Sequence, residues 1–314
     1  MSLENKGSVE LPRHDKPGGF DHAAVHGGLG RLYVAHTANS ALDVIDCRAQ
    51  RYLHSTPGLT GVAGVMVSEE QNLVFTANRQ ANTVGILSAA TGDLLGEVPV
   101  GIGPNGLAYD ATRHLLLAAN VGDPTIPGSQ TVSLVDVRTK TLLGHVPVPG
   151  RTRWAVFAAE TEAFYVNIAD PPEIAVIEAQ RPDHVHRTFP VPANGPHGLD
   201  FDPQTGRLFC ACDAKVLVAL DMKTGTILSQ HDLSGGPDVL FVNPALGHLY
   251  VAIGDPGVIE VLDTEPLRRL QTLQTERGAH TIGFDPIRNT VYAFLPESHR
   301  AAIYLDRDRG RGPE

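Results

Sequence analysis

The chain has 314 residues, 42 % of them hydrophobic, which is enough to bury a sizeable core. Its formal charge of −10, from 35 acidic against 25 basic residues, argues against a general phosphate-binding surface and disfavours nucleic acid as a partner. Only 3 cysteines are present and no run approaches the roughly eighteen apolar residues of a membrane span, so neither a disulfide scaffold nor a spanning helix is expected.

The chain opens on Met1–Lys6, which has no apolar leader. A cytoplasmic location is therefore expected, or a periplasmic one if a leader has been removed. A strand-like segment follows around Ser8-Val9-Glu10-Leu11, and from Asp21 a repeated unit begins. Each unit is an apolar strand, a turn, a second strand, a loop, and a third strand ending at a mostly acidic residue. First strands open at Asp21, Ala63, Asn105, Arg153, His197, Asp238 and His280. In the first unit the register is ambiguous by one residue, so His22 can replace Asp21. Third strands end at Asp46, Ser88, Asp136, Glu178, Asp221, Asp263 and Asp306, and spacings in both registers lie between 41 and 48. The third unit carries an insertion, Val121–Gln130, read as a partial lid. In the fifth, Cys210 and Cys212 stand two apart in a strand, so their side chains point the same way and suit a disulfide poorly.

The local chemistry supports this reading. Asp202-Pro203, Asn243-Pro244 and Asp285-Pro286 pair an Asx residue with a proline that presets φ, and nucleate the turn after a first strand. Thr91-Gly92 and Thr224-Gly225 mark hairpins in which glycine takes positive φ. Polar alternation is weak, as in sheets covered on both faces. The period predicts an all-β, seven-bladed propeller with four antiparallel strands per blade. Residues 1–314 form one domain in this reading, with 1–20 as closing strand and arm and 307–314 as a flexible tail. Only three strands follow His280, so the N-terminal segment is expected to supply the missing outer strand and close the ring.

Leu32-Tyr33-Val34-Ala35-His36 with Val44-Ile45-Asp46, Phe75-Thr76-Ala77-Asn78 with Asn82-Thr83-Val84, Gly101–Ala108, and Leu249–Ala252 with Val261-Leu262-Asp263 carry a family likeness. These repeats resemble the YVTN family of β-propellers, relatives of YncE-like proteins, and more distantly virginiamycin B lyase. The likeness spans nearly the whole chain. It implies the propeller fold; some YncE-like relatives bind single-stranded DNA, which the acidic balance here disfavours.

In a propeller the residues opening the first strands converge on one rim of the central channel. Six of the seven are polar, Ala63 being the exception. His197, Asp238 and His280 come from consecutive blades and are the expected ligands of a divalent transition metal (zinc, iron, manganese, nickel or copper), with Asp21 or His22 as fourth ligand or general base. Arg153 is expected to orient an anionic substrate, and Asn105, Trp154 and His36 to line its site. The expected function is a metal-dependent hydrolase, lactonase or lyase acting on a small molecule at the channel mouth. The alternative is a non-catalytic propeller that uses the same rim to bind a ligand or a protein.

Overall fold

The computed structural model describes residues 2–16 and 18–307. Those residues form seven four-stranded sheets, in six of which strands adjacent in sequence pair in simple up-and-down order. The first blade runs through Ala23–His26, Arg31–His36, Ala41–Asp46 and Arg51–Pro57, and the next five repeat it. In the seventh, Thr281–Asp285, Thr290–Leu295 and Arg300–Asp306 are completed on the outside by Leu3–Glu10. This outer strand is antiparallel to the last one, with Leu3 opposite Asp306 and Glu10 opposite Arg300. The closing strand is longer than the four residues the sequence marked. Of the expected tail, residues 308–314 lie outside the described residues. A single 3-10 turn, Thr37–Asn39, is the one helical element among the described residues, and no helix is long and apolar enough to cross a membrane.

The middle two strands of every blade are apolar on both faces because both faces are covered by neighbouring blades. Tyr165, Leu208, Cys210 and Val218 share one buried cluster between the fourth and fifth blades, and Leu32, Val34, Tyr292 and Ile303 share another between the first and seventh. The outer strands are wet on their outer face, and the turns that precede them and those that follow the first strands are built as expected. Gly92 and Gly225 take φ of 79° and 72°. Asp202 accepts the Gln204 N–H, and Asp285 accepts those of Ile287 and Arg288.

Cys210 and Cys212 project the same way, with Sγ atoms 3.8 Å apart, and both are free, as is Cys47. All three are buried. Burial raises the Cys210 thiol well above its ordinary range and pushes Cys47 up to about 11. Because all three sulfurs are shut off from solvent, none should react with a disulfide reagent at pH 8 until the protein is unfolded. Rapid labelling of the native protein would contradict this.

Candidate functional site

The ladders settle the register of the first blade. Ala23 pairs with Val34, two residues before the end of its strand, as Val65 pairs with Thr76 in the second blade. Asp21 therefore stands at the opening position, level with Ala63, and His22 one step deeper. At the channel mouth Asp21, Arg153, His197, Asp238 and His280 keep between 17 % and 34 % of their side chains exposed, so all five are reachable from solvent.

His197 lies at the centre of the polar wall. Its Nδ1 is 2.8 Å from Asp213 Oδ1 and its Nε2 is 3.1 Å from Asp238 Oδ1. Burial works against a charged ring, but Asp238 and Asp213 outweigh it, together with the repulsion from Arg153, and hold the pKa at about 9. Burial likewise opposes ionisation of Asp238, yet the His197 charge keeps its carboxyl below the usual carboxylate range. On the far side Asp238 Oδ2 is 3.9 Å from His280 Nε2. His280 Nδ1 is 2.8 Å from the Gly278 carbonyl, which can only accept, so Nδ1 carries a proton and donates there. Arg153 reaches Asp213 Oδ2 at 3.3 Å and lies against His197 at 3.3 Å.

The opposite wall is built differently. Ala63 leaves room at the second blade, and Arg79 fills it from the following loop. Its Nη2 donates to Asn105 Oδ1 at 2.5 Å and lies 3.7 Å from Asp21 Oδ2. The Val121–Gln130 insertion stands at this edge as an exposed loop closed on itself by hydrogen bonds between Ser129 and Asp123.

Trp154 forms the floor. From the fourth blade its indole crosses the bore to lie tilted against His22 of the first, at 3.8 Å between ring centroids, and to meet Phe241 of the sixth edge-on at 6.4 Å. It packs on the buried clusters of both sides of the ring. The equivalent positions in the second, third and fifth blades are Gly64, Gly106 and Gly198. His22 is sealed by this contact, and burial lowers its pKa to about 4. Two residues deeper than Gly198, Asp200 accepts the Val242 and Phe201 N–H groups, and burial pushes its carboxyl up to about 7.

Thus His197, Asp238, His280, Asp21, Arg153 and Asn105 gather at one mouth, with His22 and Trp154 directly beneath. His36 does not join them. It is fully buried inside its blade, with Nδ1 2.7 Å from Asp43 and Nε2 2.8 Å from His14 of the N-terminal arm, so no ligand in the channel can touch it. The donor types at His197, Asp238 and His280 suit a divalent metal, but their arrangement does not fit one. Both nitrogens of His197 face carboxylates, and among the described residues no three His, Cys, Asp or Glu side chains are disposed to hold an ion. The sequence reading missed Arg79 and Asp213. Each directly follows the end of a second strand, at Asn78 and Cys212, and that register was the available signal.

No family model and no curated protein matches the sequence. Among solved structures, a chain of Kuenenia stuttgartiensis hydrazine synthase superposes with a TM-score of 0.80 at 13 % identity, covering 93 % of this chain and 96 % of that one. A chain of a mitotic checkpoint complex superposes with a TM-score of 0.80 at 12 % identity, covering 96 % and 91 %. At such identities the likeness concerns the fold alone. The protein is a seven-bladed β-propeller whose channel mouth is a polar cup closed below by one tryptophan.

Proposed function

We propose that this cup binds a small molecule and acts on it by hydrolysis, lactone opening or elimination. The observation that carries the reading is the pairing of two imidazoles across Asp238 at the channel mouth. His197, held between two carboxylates, is suited to stabilise developing negative charge, and His280, anchored through Nδ1 on the Gly278 carbonyl, leaves Nε2 without a hydrogen bond and suited to exchange a proton with a ligand. The YVTN resemblance of the repeats agrees with the architecture and leaves the chemistry open, since propellers host unrelated activities.

His280→Gln is expected to fold normally and to lose at least about a hundredfold in turnover of chromogenic lactones and esters at pH 7. Binding to the wild-type cup without turnover of any such substrate would favour the scaffold reading. A second reading, a metal-dependent enzyme, draws on the same meeting of His197, Asp238 and His280, and requires His197 to release a carboxylate. Protein purified without chelator or histidine tag, then titrated with zinc, iron, manganese, nickel and copper ions, separates the two. Uptake of about one equivalent, abolished in His197→Ala and His280→Ala, supports the metal; less than about a tenth of an equivalent removes it.

A further inference from the structure

The N-terminal arm, which joins the closing strand to the first blade, is pinned at both ends and held in its middle by one ring. At one end Leu11 is buried and its N–H donates to the His299 carbonyl at 2.9 Å. At the other Phe20 is buried and its carbonyl accepts the Thr281 hydroxyl at 3.1 Å. Arg13 and Asp15 are exposed, while His14 turns inward and is half-buried. Its ring meets His36 of the first blade with centroids 5.0 Å apart and His299 of the seventh at 4.5 Å, both edge to face. Asn39 Nδ2 donates to the Arg13 carbonyl at 3.1 Å and holds the backbone beside it. Three imidazoles thus gather at the seam between the first and seventh blades, with one fully buried carboxylate, Asp43, behind them.

The geometry limits the protons at this seam. Asp43 Oδ1 accepts the Ser55 hydroxyl at 2.5 Å, and Oδ2 lies 2.7 Å from His36 Nδ1. A carboxylate only accepts, so His36 Nδ1 carries a proton. His36 Nε2 and His14 Nδ1 then face each other at 2.8 Å, a separation that holds one proton and not two. With one proton there, the pair is neutral or carries a single positive charge, which Asp43 balances. A second charge places a proton on each facing nitrogen and turns the bond into a repulsion. His299 gives no relief, because its Nδ1 is buried with no acceptor among the described residues. Burial, and then the charges of His36 and His299, hold the His14 pKa below its ordinary value against the opposing pull of Asp15 and Asp43.

We infer that the arm is a pH-sensitive strap, fastened at neutral pH by the one proton shared between His14 and His36 and released in acid when both rings are charged. The middle of the arm then lifts, while Leu11 and Phe20 stay anchored, and His36, Asp43 and His299 are bared to water. A lifted His14 titrates near its ordinary value of about 6.5 and a docked one below it. Docking is therefore fully favoured above about pH 6.5 and weakens as pH falls toward the docked value, by up to about tenfold per pH unit.

Trypsin reads the strap directly, because Arg13 is exposed and the bond that follows it leads into His14. The full-length protein is digested at about pH 7.5 and at about pH 5, cleavage after Arg13 is followed by mass spectrometry, and each rate is divided by that of the matching synthetic peptide at the same pH. When opening is fast, this ratio follows the population of the lifted arm. It should rise at least about fivefold in the wild type between the two pH values. In His14→Gln, whose side-chain amide can still donate to His36 Nε2 but takes no second charge, the ratio should be the same at both. A wild-type ratio that does not rise overturns the inference, and so does an equal rise in His14→Gln.

Discussion

Replacing Trp154 with alanine is expected to lower the unfolding free energy by about 3 kcal/mol and to turn the cup into an open bore. The indole is in contact with residues of the first and sixth blades, so its removal strips packing from across the ring. Urea denaturation followed by circular dichroism measures the loss. The same variant should change the titration of His22. That ring is 4 % exposed, and burial lowers its pKa to about 4. Its folded pKa lies below the unfolded value of about 6.5, so the unfolded chain binds more protons and stability falls as pH drops between those values. With the indole gone, water reaches the ring, its pKa rises toward the ordinary value, and this part of the stability profile flattens. An unchanged His22 titration in Trp154→Ala would show that the indole is not what shields it.

Asp238→Ala should also cost about 3 kcal/mol at pH 7, because it leaves the His197 cation with Asp213 as its sole carboxylate. Here the signs run the other way. The folded pKa of His197, about 9, lies above its unfolded value, so its contribution is complete below about pH 6.5 and is lost as pH rises through 9. Asp238 is lowered, so its contribution is present above about pH 4 and is lost as pH falls toward the depressed folded value. The two describe one pair and are counted once. The stability difference between wild type and Asp238→Ala should therefore shrink when the pH is raised from 7 to 10. A difference that stays constant would mean that His197 is neutral in the folded protein and that the imidazole–carboxylate wall has been misread.

The blade period was legible because every blade solves the same problem with the same turn chemistry, and repetition fixes angular position round the ring. That is why His197, Asp238 and His280 could be placed together from their spacing. Spacing does not fix the direction a side chain takes once the ring has closed. Trp154 was read as a rim residue, yet its neighbours leave the bore open at that level and the indole fills it. His36 sits at the end of a second strand like other rim residues, but Asp43 lies in the same blade and draws the ring inward. Arg79 and Asp213 come from loops whose lengths vary, where the repeat carries no signal beyond the residue after a strand. Two imidazoles and a carboxylate at equivalent positions of consecutive blades read as metal ligands; spacing could not show that His197 Nε2 turns onto Asp238 while Asp213 holds its Nδ1.

Gly64, Gly106 and Gly198 stand where a β-carbon would collide with the carbonyl oxygens of Asn105, Arg153 and Asp238, each at the opening position of the next blade. Those three residues are part of the cup wall. Alanine at any of the glycines would act as a wedge between adjacent blades and carry a wall residue outward. The aperture is thus gauged by missing methyl groups, and a ligand too broad for it could be admitted by enlarging a residue that never touches it.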